Sequence, residues 1–180
     1  GINDFCLSFE KTFSIDEIKN IVKENIDKDI FVSLNKMIFN SELSTYKSIL
    51  FELDKLSLKG IIIGDTAALT YNLDTNLIMD QLHLNNSYLT ANHYYNNGCK
   101  GIYLTNDITL DEINYIKENS KAILFKDVFC LPHLSTSKRN LITNYLNHFN
   151  IDKKDDYFYI CEEKDNNYYL SVSNYVTSVD

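Results

Sequence analysis

Two hydrophobic rhythms alternate along the chain. Short apolar or alternating runs read as strands at residues 4–9 (DFCLSF), 29–34 (DIFVSL), 60–63 (GIII), 77–82, 101–104 and 122–125. Between them apolar residues recur at helical spacing. Ser14 with Glu17 three positions later is a capping box. It opens a helix to about residue 25, with Ile15, Ile18, Ile21 and Val22 on one face. A second helix is expected over 41–57, turned inward by Leu43, Tyr46, Ile49, Leu50 and Leu53, and a short helix over 66–71. Residues 87–96 form a further helix stopped by Gly98. Thr109 and Glu112 form a second box that opens a helix to about residue 119, and residues 138–149 form the last helix.

The pattern changes after residue 150. A charged break at 152–156 is followed by alternating runs at 157–162 and 168–173 around turn residues 164–167, an antiparallel hairpin. The expected organisation is a β/α domain over 1–150 with a C-terminal hairpin and tail, 151–180, packed on it. Strand–helix alternation implies parallel strands joined by right-handed crossovers. An open doubly wound sheet and a closed barrel both fit. No GxGxxG or GxxxxGK[ST] follows any strand, which removes support for the nucleotide-binding open sheets. A full eight-unit barrel takes about 250 residues. With only six strand–helix units counted here, the expectation is an α/β chain forming a partial (β/α) TIM-like barrel with a C-terminal β-hairpin.

Composition narrows the function. A length of 180 residues with 44% apolar content supplies a core. The formal net charge of −8 opposes nucleic acid and anionic membrane. No apolar run reaches the length of a membrane span and no leader is evident, so a cytoplasmic location is expected. Cys6, Cys99, Cys130 and Cys161 are widely spaced, without a CxxC pair, and read as reduced packing residues. Arg139 is the only arginine, a scarcity that fits a composition rich in Asn, Ile, Lys and Tyr.

In a β/α barrel, function gathers at the carboxyl ends of the strands. Those ends hold Ser8, Asn35, Asp65, Gln81, His83, Asn106, Asp107 and His133. Plain structural roles compete for several of them: Asp65 is placed to cap the helix after it, and Asp107 sits in the turn before a capping box. His93 and His148 fall on helix surfaces. A nucleophilic enzyme would draw on Cys130, Ser135 or Ser137 with His133 or His83 as base, but no GxSxG elbow surrounds the serines. His83, His133 and Asp65 lack metal-ligand spacing, so no metal is expected.

Three segments carry a resemblance. FVSLN at 31–35, followed by NSEL at 40–43, looks like V-x-x-L-N…N-x-E-L. QLHLNNS at 81–87, NGCKGIYL at 97–104 and DITLDEI at 107–113 follow T-Q-x-N-x-x-N-S…G-x-x-R-x-x-L-x-R-E-L-S-x-x-E-I. DVFCLPHLSTSKR at 127–139, followed by residues 141–146, follows E-V-F-x-x-G…S-x-R-x-L-x-x-N-Y. In order and spacing, over about 130 residues, the chain resembles peptidase family U32, the collagenase-like proteases.

The resemblance implies a barrel in which residues 4–7 are the second strand, and hence a barrel lacking its first unit and its last ones. It also implies a peptidase, and activity as a hydrolase follows only from it. Some relatives resemble accessory subunits for hydroxylation of tRNA or of quinone precursors, and a catalytically degenerate partner barrel is a further alternative. The matching positions are Asn35, Gln81, Asn86, Ser137 and Arg139. With Asp65, His83, Asp107 and His133 they form the expected substrate site, without an assigned catalytic residue. Relatives carry cysteines, associated in some with an iron–sulfur cluster, where this chain has His133 and Asn140, so no cofactor is carried over. The family's Arg-Glu pair is replaced by Asn106 and Asp107, and a glycine by Cys130. A guanidinium at Arg139 suits a carboxylate or phosphate. The expected partners are therefore a peptide or small anionic ligand, and a second copy or related U32 chain covering the incomplete barrel.

Overall fold

The computed structural model describes the backbone of residues 4–7, 13–35, 38–81, 85–128, 133–137, 141–152, 161–164, 167–170 and 175–178, and the side chains of 13–35, 38–81, 85–128 and 143–152. Two compact units result, residues 1–126 and 127–180.

In the first unit six strands alternate with four helices: β1 (Asp4–Leu7), α1 (Ile15–Glu24), β2 (Asp29–Leu34), α2 (Leu43–Asp54), β3 (Gly60–Ile63), β4 (Leu77–Met79), α3 (Tyr88–Asn96), β5 (Cys99–Tyr103), α4 (Leu110–Asn119) and β6 (Ile123–Phe125). A 3-10 turn at Asn40–Glu42 leads into α2, and another, Thr66–Thr70, stands where a short helix is expected. The helix starts follow the sequence signals. The Ser14 hydroxyl accepts from the Glu17 N–H at 3.2 Å while the Glu17 carboxylate accepts from the Ser14 N–H at 2.7 Å. Thr109 accepts from the Glu112 N–H at 3.3 Å. Beyond α3, Gly98 takes φ 101°, the left-handed conformation that glycine adopts without steric cost.

All six strands are parallel and stand in sequence order, β1-β2-β3-β4-β5-β6. That order does not fit the doubly wound sheet left open from sequence. Right-handed crossovers that always step the same way put every helix on one face of the sheet, whereas a doubly wound sheet reverses direction and covers both. The core agrees: Ile18 of α1, Tyr46, Leu50 and Leu53 of α2, Ala91 and Tyr94 of α3 and Ile116 of α4 pack with Val32, Ile61, Ile63, Leu77, Met79, Cys99 and Ile102 of the strands.

The opposite strand face shows the curvature. Alternation puts Phe31, Gly60, Ile62, Ile78, Gly101, Tyr103 and Phe125 there. Phe31 of β2 and Phe125 of β6 meet edge to face with ring centroids 6.1 Å apart. In a flat sheet these strands would be separated by four spacings, about 19 Å. The sheet is therefore rolled strongly around the face away from the helices.

The second unit contains β7 (His133–Ser137), α5 (Leu141–Phe149), β8 (Cys161–Lys164), β9 (Asn167–Leu170) and β10 (Tyr175–Ser178). Two features differ from expectation. The hairpin is present as β8 paired antiparallel with β9, but shorter than the runs at 157–162 and 168–173. Its register, Lys164 opposite Asn167, is tied to the two-residue connection at 165–166. The segment 133–137, for which no element was expected, is a strand paired in parallel with β10, which the sequence did not announce. Its run His-Leu-Ser-Thr-Ser carries one apolar residue, too few for a period-2 signal.

Candidate functional site at the carboxyl ends of the strands

The rolled face ends in a polar row. β2 runs Phe31, Ser33, Asn35 on this face and β4 runs Ile78, Asp80. One residue beyond the last paired positions, Asn35 and Asp80 flank Gly64 of the intervening strand. The Asn35 amide donates to the Asp80 carboxylate at 2.6 Å, a link between residues 45 apart in sequence. Both side chains are half-buried. Along the same row Tyr103 stacks on Phe125, with centroids 5.3 Å apart and planes inclined by 23°.

Asn85 ties down the ends of β4 and β5. It is 1% exposed, and its Nδ2 donates to the carbonyls of Met79 at 3.2 Å and Tyr103 at 2.8 Å. Its own carbonyl accepts from the N–H of Thr105, which is also buried. The Asn85 Oδ1 is buried without a hydrogen-bond partner. Beside β6, the Lys126 ammonium donates to Asn106 Oδ1 at 2.6 Å.

On the helix side of the same strand ends the polar groups are structural. One Asp65 oxygen accepts from the Ala67 N–H at 2.8 Å, capping the 3-10 turn, and the other accepts from the Ile38 N–H at 3.1 Å, which tethers the loop after β2. Gln81 accepts from the Tyr94 hydroxyl at 2.6 Å. Burial raises the Tyr94 hydroxyl above its ordinary pKa, which keeps it a donor. Cys99 packs in the core, and burial pushes its thiol up to about 12, so it remains a neutral packing residue at neutral pH. Among the described residues no three His, Cys, Asp or Glu side chains gather as a metal-binding group, and no helix is long and apolar enough to cross a membrane.

The model of peptidase family U32 matches residues 1–170. The chain belongs to peptidase family U32. The solved structure of the U32 peptidase Mk0906 superposes with a TM-score of 0.54 at 11% identity, covering 99% of this chain and 85% of that one, a likeness of fold. None of the curated proteins matches.

In this U32 chain the expected site residues separate into groups. Asn35 reaches the rolled face and finds Asp80, whereas Asp65 and Gln81 serve the loop and helix side. Asn86 and Asp107 are exposed, and it is the neighbouring Asn85 that is buried. His133 and Ser137 have backbone positions in β7 but side chains outside the described residues, and His83 and Arg139 lie outside them altogether. Asp80, Asn85, Tyr103, Phe125 and Lys126 were not among the expected site residues. Asp80 had a usable signal, since it continues the period-2 series of Ile78 past a strand end, as Asn35 continues that of Phe31 and Ser33.

Proposed function

We propose that this U32 chain is a peptidase, of the collagenase-like kind the family is known for, whose peptide binds at the carboxyl-terminal rim of the rolled sheet. The sheet itself is proposed to be part of a (β/α) barrel. The observation that carries the reading is the Asn35–Asp80 hydrogen bond. A carboxylate after β4 is held by the amide of Asn35 after β2, across the intervening β3, at the end of the sheet where β/α barrels place their chemistry. It stands next to a stacked aromatic pair, so a peptide would find a fixed acceptor for its N–H groups beside an apolar platform.

The test is hydrolysis of denatured collagen and of a mixed set of unstructured peptides, followed by mass spectrometry, for the full chain and for Asp80→Asn. The expected result is cleavage by the parent protein and a loss of about tenfold or more in kcat/KM for the variant, the order of one charged hydrogen bond to substrate. Failure of the parent protein to cleave any peptide would overturn the proposal.

A further inference from the structure

We infer that Asn85 is a positioning residue of the peptide site: its side-chain amide holds Asp80 and Tyr103 side by side and so sets how well a peptide is held. This rests on the peptide-binding reading above and names what gives that site its shape. The pairing of β4 with β5 ends at Met79 opposite Ile102. Continued by one residue, the same register puts Asp80 opposite Tyr103, both on the rolled face. At this level a single side chain joins the strand ends. Asn85 Nδ2 donates to the Met79 carbonyl at 3.2 Å and to the Tyr103 carbonyl at 2.8 Å. Each carbonyl belongs to a peptide unit that is bonded at its other end as well. The Asp80 N–H, across the peptide bond from the Met79 carbonyl, donates to the Ile63 carbonyl at 2.8 Å. The Leu104 N–H, across the peptide bond from the Tyr103 carbonyl, donates to the Phe125 carbonyl at 2.8 Å. A continuous series of bonds thus runs from β3 through β4, Asn85 and β5 to β6, and the Cα atoms of Asp80 and Tyr103 each adjoin one of its links.

Asn85 is itself fixed. It is 1% exposed, its backbone carbonyl accepts from the Thr105 N–H at 3.1 Å, and Ser87 two residues on caps α3. A planar amide held in this way cannot follow a movement of either strand end. Its Oδ1 is buried without a hydrogen-bond partner, a state that stability alone disfavours. Local rules of this kind are broken where a site requires it. Here the two donors of Asn85 account for the residue, because together they set the spacing of the carboxylate-bearing strand end and the one that carries the aromatic platform. Displacements of about 1 Å at a site are enough to lower its activity by orders of magnitude.

Two measurements on the full chain test this. In the first, cleavage of denatured collagen is compared for the parent protein, Asn85→Leu, Asp80→Asn, the double variant and Ser14→Ala, at a temperature where circular dichroism shows each of them folded. Asn85→Leu should lose about tenfold in kcat/KM, while Ser14→Ala, destabilised on the helix side, stays within about twofold of the parent. Because Asn85 acts through Asp80, the double variant should lose about thirtyfold or less, in place of the roughly hundredfold that independent effects would give. Parent-like activity in Asn85→Leu, or losses that multiply in the double variant, overturns the inference and leaves the peptidase reading intact. In the second, isotope-labelled parent protein is titrated with a short unstructured peptide of collagen sequence and followed by nuclear magnetic resonance. The Asn85 side-chain amide and the Asp80 and Leu104 backbone amides should shift together and saturate at the same peptide concentration. A peptide that binds without moving them overturns the inference, and absence of both cleavage and binding overturns both readings. The titration needs no variant, so a folding defect in Asn85→Leu leaves the test decisive.

Discussion

Replacing Gly101 with alanine tests the packing of the rolled face. A Cβ at this position would lie 2.8 Å from the Ile123 carbonyl oxygen, 2.8 Å from Phe125 Cε2 and 3.3 Å from Phe125 Cδ2. Moving the ring would break its stack with Tyr103 and its edge contact with Phe31, while moving the carbonyl would strain the β5–β6 pairing. Neither relief is free. Overpacking of this kind costs about 1–3 kcal/mol, and the reduced freedom of the unfolded chain returns about 0.4–1 kcal/mol. The net expectation is a loss of about 1–2 kcal/mol. At about 2–4 °C per kcal/mol for a chain of this size, the midpoint should fall by about 2–8 °C, as measured by thermal and urea unfolding followed by circular dichroism. Gly60→Ala is the graded comparison. Its closest neighbours, Ile78 Cδ1 at 3.0 Å, Phe31 Cδ1 at 3.1 Å and the Asn76 carbonyl oxygen at 3.2 Å, all stand further off than the two nearest atoms at Gly101, so a smaller loss is expected. A Gly101→Ala protein as stable as its parent would refute the close packing of the Phe125 ring over β5 on which the rolled interior is built.

Three further outcomes follow from the same geometry. Asn85→Leu removes the donor shared by the Met79 and Tyr103 carbonyls, and it should cost about 2 kcal/mol in urea unfolding, with relief of the orphaned Oδ1 offsetting part of the loss. Ser14→Ala removes one half of the capping box on α1 and should cost about 1 kcal/mol, with Ser14→Thr retaining most of it. Stability should decline in alkali: the Cys99 thiol rises from 9.0 to about 12 on folding, so above pH 9 the unfolded chain releases a proton that the folded chain keeps. That contribution is fully present below pH 9 and is lost as pH rises toward 12. Tyr46, raised by burial and then by Asp65 and Tyr71 nearby, adds the same sign above 10. Cys99→Ala should flatten the pH 9–10 part of a urea-midpoint profile, and an unchanged slope would count against the buried thiol as its source.

What was legible in the sequence was local. The capping box at Ser14, the N-cap at Thr109, the stop at Gly98 and the apolar runs of β2, β3 and β5 are short-range physics, and each element stands close to its expected place. The resemblance to family U32, carried by short motifs in order, also held. The partnerships of the site were not legible. Asn35 was singled out and Asp80 was not, because their bond depends on two strands being in register across a third. Asn85 and Asn86 are indistinguishable as letters, and only the fold decides which of them turns inward to clamp two strand ends. β7 and β10 escaped notice because a polar strand paired with a distant segment carries no periodic signal of its own.

The glycines of the rolled face explain how one sheet can both curve strongly and keep a polar rim. Phe31 lies beside Gly60, and Phe125 lies over Gly101, so each large ring occupies space that a neighbouring strand leaves empty. That complementarity brings rings from β2 and β6 together at 6.1 Å and fills the concave side with apolar mass at the level of the strand middles. Two to four residues further along β2 and β4 the series turns polar, with Ser33 and Asn35 following Phe31 and Asp80 following Ile78. The floor and the rim are thus consecutive members of the same period-2 series. A substitution that disturbs the floor, such as Gly101→Ala, should therefore also loosen the Tyr103–Phe125 platform on which the proposed peptide site depends, whereas one confined to the helix side, such as Ser14→Ala, should lower stability and leave peptide affinity unchanged.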